Sequence, residues 1–88
     1  MYYVYLLQLH NGEVYTGSTK DLRRRIGEHN EGKVTSTKHK RPLKLILYEG
    51  YLLRSDAERR EKYLKTTEGK RFLKQQIRDY FKMSHLGL

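Results

Sequence analysis

The chain has 88 residues, no cysteine, and 19 Lys and Arg against 10 Asp and Glu, which gives a formal net charge of +9. This length fits one small domain. Because cysteine is absent, disulfide frameworks and thiolate-held zinc or iron–sulfur sites are excluded, and any metal must be held by carboxylate, imidazole or water. The positive charge favours a polyanionic partner, and nucleic acid is the leading candidate.

No segment has the composition of a membrane span. The longest apolar run, Val4 to Leu7, is far shorter than the ~18 to 20 residues that a span needs, and no basic leader precedes it. We therefore expect a soluble, cytoplasmic protein without a membrane partner.

Two strands joined by a tight turn are predicted first. Residues 2–9 are aromatic and apolar at both alternating sets of positions, which is typical of a central strand covered on both faces. After a turn at 10–12, residues 13–17 return as the second strand.

The length of that turn decides which side chains share a face of the sheet. A two-residue Asn11-Gly12 loop puts Tyr5 and Tyr15 on opposite faces. A three-residue loop puts both tyrosines on one face and places Gly17 opposite Tyr5. Local turn preferences leave both registers open.

A helix is predicted from about 20 to 31, with Ser18 or Thr19 as its N-cap. Its core-facing side carries an arginine and a histidine among apolar residues, while two further arginines point away. The core-facing residues are Leu22, Arg25, Ile26 and His29, and the outward pair is Arg23 and Arg24.

The next segments give a loop, a strand and a helix. Residues 33–44 are rich in Lys, Ser and Thr and are predicted to form an exposed basic loop, followed by a third strand within 43–53. The run Ser55 to Glu58 matches a capping box and predicts a helix to about Lys65, with Glu61 on its buried face.

A last helix is predicted over about 68–83, and we expect it to be structural. Its apolar stripe consists of Phe72, Leu73, Ile77, Tyr80 and Phe81.

Three polar features fall on inward-facing positions: the two tyrosines, the Arg25 and His29 pair, and Glu61. Each has an ordinary explanation when taken alone. A buried carboxylate needs a cation, so Glu61 would pair with Arg25 or Arg60, or bind a metal. A buried histidine is most often a packing residue, and a buried tyrosine most often belongs to the core.

Together these features match the needs of phosphodiester cleavage. That reaction requires an activated oxygen nucleophile, a cation for the phosphate and usually a divalent metal. Arg25 offers a planar fork of donors for a phosphate, and Glu61 offers the oxygen ligand that magnesium prefers.

Two tripeptides, Tyr3-Val4-Tyr5 and Tyr15-Thr16-Gly17, are followed by Arg25 ten residues after Tyr15, then by His29-Asn30 and later by Glu61. In these motifs the sequence resembles the GIY-YIG nuclease family over about residues 2–80. The likeness is to its small stand-alone members, which are related to the N-terminal nuclease domain of excision-repair incision subunits. It implies a single α/β (α+β) domain over 1–88, with a three-stranded antiparallel sheet flanked by helices. It also selects the register that brings Tyr5 and Tyr15 together.

The resemblance implies a metal-dependent endonuclease that hydrolyses DNA with one divalent ion. Glu61 would hold Mg²⁺ or Mn²⁺, and Arg25 would stabilise the pentacovalent phosphate. Tyr5 or Tyr15 would orient or deprotonate the attacking water, and His29 would tune that tyrosine or relay its proton. Low sequence specificity is expected and, by analogy, structure-directed cleavage in DNA repair or recombination, with a protein partner supplying the target.

The sequence departs from the family pattern at three places. Tyr3 stands where the family has Gly, and Thr16 stands where Ile is usual. Small members vary at both positions, so we expect catalysis to be retained. No Asn follows Glu61, where many relatives have one. We therefore expect activity that is weak or depends on a partner.

Contacts to the nucleic-acid backbone are expected from basic residues of the first helix and the basic loop. These are Arg23, Arg24, Lys38, Lys40, Arg41 and Lys44. The alternative function is a non-catalytic module that binds DNA or RNA with the same fold and positive surface. Glu61 favours the enzyme, because an inward carboxylate repels phosphate when no metal is bound.

Overall fold

A three-stranded antiparallel sheet forms the centre of the fold in the computed structural model, which describes residues 1–85. The strands are β1 (Tyr2–Gln8), β2 (Val14–Thr19) and β3 (Lys44–Tyr51), and they stand in the order β2-β1-β3. The apolar β1 is central, as predicted. The helices are α1 (Leu22–Asn30), α2 (Arg54–Leu64), α3 (Thr67–Gln76) and α4 (Arg78–His85), and a short 3-10 turn occupies Lys38–Lys40. The predicted α+β architecture is confirmed within these residues.

Both faces of the sheet are buried because helices pack on either side. Val4 and Leu6 pack against apolar residues of α2 and α3 on one face. Tyr5 and Leu7 point to the other face and pack against Leu22 and Ile26 of α1. Successive residues of β1 therefore serve two separate cores, which explains why its sequence is apolar throughout.

The hairpin between β1 and β2 adopts the three-residue register. The Leu9 amide donates to the Glu13 carbonyl oxygen at 2.8 Å, and Gly12 takes the left-handed conformation with φ of +88°. Tyr5 then pairs with Gly17. The register that the family resemblance selected is confirmed.

Two predicted helix starts are wrong. Since β2 continues to Thr19, Ser18 and Thr19 belong to the strand, and the N-cap of α1 is Asp21, whose carboxylate accepts from the Arg24 amide at 3.1 Å. Helix α2 begins directly after the third strand with Leu53 as its N-cap and no side-chain cap. The predicted capping box therefore lies inside the helix.

The predicted last helix is divided in two. The backbone at Ile77 leaves the helical region, with φ of −121° and ψ of 42°, and α4 starts in a new direction. This bend lets Leu73, Ile77 and Phe81 reach the same core cluster. Phe72, which was expected in the apolar stripe, is 47% exposed.

The basic loop is less exposed than its composition predicts. Val34 and Thr37 are buried, with Thr37 fully inaccessible. Within residues 1–85, the structure contains no helix long and apolar enough to cross a membrane.

Two helical glycines offer a matched test of this packing. A Cβ at Gly69 would overlap the main-chain carbonyl of Tyr63, whereas a Cβ at Gly27 would meet no atom within 4 Å. We expect Gly27→Ala to raise the free energy of unfolding by about 0.5–1 kcal/mol through helix propensity. Gly69→Ala should lower it by about 1–3 kcal/mol, because backbone must move apart. Urea denaturation measures both, and equal stabilisation by the two variants would contradict the described helix junction.

Candidate active site

A hydrogen bond joins two buried side chains at the centre of the α1 face. The Oη atom of Tyr5 lies 2.9 Å from Nε2 of His29, and the two residues are 1% and 0% exposed. The Tyr15 ring packs edge-on against His29, with ring centroids 5.0 Å apart. Three of the residues proposed from the sequence are thus brought together by β1, β2 and α1.

Thr37 completes this arrangement from the basic loop. Its Oγ1 lies 2.8 Å from Nδ1 of His29 and donates to the Val34 carbonyl oxygen at 3.5 Å. A carbonyl oxygen only accepts, and the Thr37 hydroxyl has one proton to give. We therefore assign the ring proton of His29 to Nδ1, with Thr37 as its acceptor, which leaves Nε2 to accept from the Tyr5 hydroxyl.

Burial keeps the Tyr5 and His29 pair uncharged at neutral pH. It raises the pKa of Tyr5 to about 12, although the nearby Arg25 guanidinium acts in the opposite direction. Burial also lowers the pKa of His29 below its ordinary value of 6.5, and the Arg25 charge lowers it further while Glu28 opposes this. Both shifts favour the neutral forms, so the hydrogen bond joins a phenol to a neutral imidazole.

Arg25 shares the face of α1 with His29, as predicted, and stays partly open to solvent. Its Nη1 donates to Oε1 of Glu28 at 3.0 Å, and the two side chains are 35% and 29% exposed. This hydrogen bond raises the pKa of the guanidinium. The remaining donors of the guanidinium can serve a phosphate beside Tyr5.

Glu61 reaches the site from α2 at the outer strand β2. Its Oε1 accepts from Ser18 Oγ at 2.5 Å, and its Oε2 accepts from Lys65 Nζ at 2.9 Å. Burial alone would raise the pKa of Glu61, but these two hydrogen bonds outweigh it, and the pKa lies below the ordinary value. Neither arginine considered as an alternative partner of Glu61 binds it, since Arg25 binds Glu28 and Arg60 binds Glu49.

The donor set around Glu61 fits a single oxygen-preferring ion. Among residues 1–85 no three His, Asp or Glu side chains gather as metal ligands. Magnesium keeps several waters, however, and one carboxylate is enough to anchor it when a substrate phosphate completes the shell. The Ser18 hydroxyl adds a second oxygen beside the carboxylate. The exposed Lys65 ammonium binds the other carboxylate oxygen, so Glu61 already holds one cation in this structure.

Gly17 is required where it stands. A Cβ on Gly17 would come within 2.5 Å of Tyr5 Oη and 3.1 Å of the Tyr15 ring. Only a hydrogen atom fits between the two tyrosines. The glycine of the second tripeptide therefore shapes the site directly.

The structure separates the predicted nucleic-acid contacts. Arg23 and Arg24 are exposed on α1, next in sequence to Arg25. Lys44 lies at the far end of β3, with its Nζ 5.4 Å from the Tyr80 ring centroid. Because the Tyr80 hydroxyl reaches Gln8, which points away from the Tyr5 face, Lys44 is not brought to the site.

Two of the three remaining basic residues of the loop are held by contacts within the protein, and Lys38 is exposed. Arg41 donates to the carbonyl oxygens of Lys38 and Asn30, which fastens the loop to the end of α1. Lys40 forms an ion pair with Glu13 at 3.6 Å.

Two residues of the site were missed from the sequence. Thr37 sits in a Lys- and Ser-rich loop where no periodicity marks a buried position. Ser18 was interpreted as a helix cap, and only the strand register and the packing of α2 place its hydroxyl against Glu61.

Comparison with known proteins decides the family. The model of the GIY-YIG catalytic domain matches residues 1–78. This chain belongs to the GIY-YIG family. The family recognised from the tripeptides is thereby confirmed, and it is a family of nucleases, whose substrates are nucleic acids.

Relatives within the GIY-YIG family are small proteins of similar length. The chain is 39% identical over 66 residues to a UPF0213 protein of Staphylococcus epidermidis, covering 74% of this chain and 80% of that one. It is 36% identical over 74 residues to a UPF0213 protein of Staphylococcus saprophyticus, covering 83% and 90%. The solution NMR structure of a UPF0213 protein from Bacillus halodurans is similar with a TM-score of 0.57 and 32% identity, covering 88% and 86%.

The lowered pKa of His29 predicts how stability changes with pH. Near pH 6.5 this histidine becomes protonated in the unfolded chain, whereas it stays neutral in the folded protein. Stability should therefore fall as pH decreases from about 7 towards 5, by up to about 1.4 kcal/mol per pH unit. The lowered pKa values of Glu28 and Glu61 act below their ordinary value of 4.5, outside this window.

Urea denaturation of the wild type and of His29→Gln at several pH values measures this effect. The variant should lose less stability than the wild type between pH 7 and pH 5. Parallel curves for the two proteins would contradict a neutral, buried His29.

Proposed function

We propose that this protein is a metal-dependent endonuclease that hydrolyses DNA phosphodiester bonds with low sequence specificity. The observation that carries the proposal is the hydrogen-bonded chain from Tyr5 through His29 to Thr37, with the Arg25 guanidinium beside it. This chain places a tyrosine hydroxyl and a histidine acceptor beside a guanidinium, which are groups that phosphodiester hydrolysis uses.

From the direction of these hydrogen bonds we infer different roles for the two tyrosines. Tyr5 accepts a proton from the attacking water as it gives its own proton to Nε2 of His29, so that the phenol stays neutral. After the phosphorus–oxygen bond breaks, the leaving oxygen takes a proton from solvent, and the transient His29 imidazolium returns its proton through Tyr5. With a pKa of about 12, Tyr5 is rarely a phenolate at neutral pH, and this concerted relay avoids that species. Tyr15 packs against both rings and positions the water.

Arg25 and Glu61 handle the phosphate. Water attacks phosphorus and the phosphorus–oxygen bond to the leaving group breaks, while Arg25 binds the oxygens on which negative charge develops. Glu61, supported by Ser18, would hold Mg²⁺ or Mn²⁺, and such an ion supplies Lewis-acid stabilisation of the phosphate and leaving oxygen.

Low sequence specificity fits the kinds of contact available. Arg23 and Arg24 present guanidinium groups suited to phosphates, and phosphate contacts carry no base information. The net charge of +9 favours any nucleic-acid backbone. We include in the proposal a role on DNA of particular structure, as in repair or recombination, with a protein partner that provides the target.

Cleavage of single-stranded, duplex and branched DNA with Mg²⁺, Mn²⁺ or EDTA tests the proposal. We expect metal-dependent nicking that Glu61→Gln abolishes and that Tyr5→Phe reduces by about 10²- to 10⁴-fold. Glu58→Gln is the matched control, because Glu58 lies on the same helix but pairs with the exposed Arg54. It should retain activity.

Three results would contradict the proposal. Salt-sensitive binding with no cleavage of any substrate would indicate the non-catalytic module. Cleavage unchanged in Glu61→Gln would show that the metal is held elsewhere. Equal cleavage of RNA would contradict the assignment of DNA as the substrate class.

A further inference from the structure

A groove of about 650 Å³ lies beside the proposed active site, between the sheet and the start of α1. Two tyrosines line its sheet side, Tyr3 from β1 and Tyr48 from β3. Lys20, Arg23 and Arg24 line its helix side. Aromatic faces opposite cationic side chains are the combination that single-stranded nucleic acid binds.

The aromatic side of the groove is open to a ligand. The rings of Tyr3 and Tyr48 meet edge to face, with centroids 6.2 Å apart. Tyr48 is 56% exposed, so its ring face is not covered by the protein's own core. A nucleobase can stack on such a face whatever its identity.

The basic side of the groove includes cationic side chains that have no acidic partner among the described residues. Within residues 1–85, Lys20 and Arg23 form no ion pair. The carboxylate of Asp21, which also lines the groove, accepts from the Arg24 amide as the N-cap of α1 and lies 3.9 Å from Arg24 Nε. The Asp21 carboxylate is therefore already bound at the start of α1, and the net charge of the groove-lining side chains remains positive.

The two tyrosines of the groove are neighbours of Tyr5 in the sheet. Tyr48 stands opposite Tyr5 in the register of β1 and β3, and directly paired residues point to the same face about 4.5–5.5 Å apart at Cβ. Tyr3 is two residues before Tyr5 and faces the same side. Arg25 lies on the same helix as Arg23 and Arg24, so α1 contributes both to the groove and to the proposed phosphate position.

We propose that this groove binds an unpaired stretch of DNA, with bases stacked on Tyr48 and Tyr3 and phosphates on Arg23 and Arg24. The inference rests on the proposed function, because it makes the unpaired strand the substrate class of the same site. Bases within a duplex are already stacked and paired, so the aromatic side of the groove contributes only when the strand is single.

Binding measured without cleavage tests the groove apart from the chemistry. Fluorescence anisotropy in EDTA compares a labelled thymidine oligonucleotide with a duplex of the same length. Tyr48→Ala should weaken single-strand binding by roughly 5- to 100-fold and leave duplex binding unchanged. Tyr48→Phe should bind like the wild type, because the stacking face remains.

Two further variants show whether the effect of Tyr48→Ala comes from base stacking, from charge, or from the loss of any exposed aromatic ring. Phe72→Ala removes another exposed ring, on α3, and should bind both oligonucleotides like the wild type. Arg23→Gln should weaken single-strand and duplex binding alike, and reduce the salt dependence of both. Far-ultraviolet circular dichroism checks that each variant is folded.

The proposal is overturned if Tyr48→Ala weakens both ligands equally or weakens neither. It is also overturned if unpaired RNA binds more tightly than DNA through the same tyrosine. If the wild type cleaves no DNA but binds single strands selectively through Tyr48, the proposed nuclease function is overturned and the proposed binding groove is supported. If the wild type cleaves DNA but Tyr48→Ala binds it as the wild type does, the nuclease function is supported and the binding groove is overturned.

Discussion

The hydrogen bond between Tyr5 and His29 constrains most of the other parts of this fold. It is made inside the protein, between the central strand and α1, where an unsatisfied polar group would cost about 1–3 kcal/mol. To make it, the hairpin must adopt the register that puts Gly17 opposite Tyr5, since any side chain there would collide with the phenol. The basic loop must also fold inward, because Thr37 is the partner of the other ring nitrogen. A single buried contact thus links strand register, helix position and loop conformation.

The sequence predicts local features well and distant pairings poorly. Alternation in β1 and the spacing of Arg25 and His29 depend on neighbours a few residues away, and the structure has both as predicted. The contact between Ser18 and Glu61 joins residues 43 positions apart, and no periodicity signals it. Thr37 is a further example, because loop composition describes the average exposure of a segment and not the one residue that points inward. The break at Ile77 carries neither Pro nor Gly, so it follows from packing alone.

The charges of the site are arranged in two parts. On the α1 side, the exposed Arg23 and Arg24 and the half-buried Arg25 carry positive charge that would attract a phosphate backbone. At the β2 edge, Glu61 would repel that backbone, and the Lys65 ammonium neutralises it in the described structure. Glu61 would hold a divalent ion in place of the Lys65 contact, and such an ion would supply a larger positive charge for the phosphate. This arrangement explains how one inward carboxylate is compatible with a strongly basic protein that binds nucleic acid.

The protonation state of His29 tests the central claim most directly. Long-range ¹H–¹⁵N NMR of the imidazole at pH 7.5 reports which ring nitrogen carries the proton. The account predicts a protonated Nδ1, facing Thr37, and a bare Nε2, facing Tyr5, with this preference lost in Thr37→Val. A proton on Nε2 in the wild type would contradict it, because His29 could then not accept the proton of Tyr5.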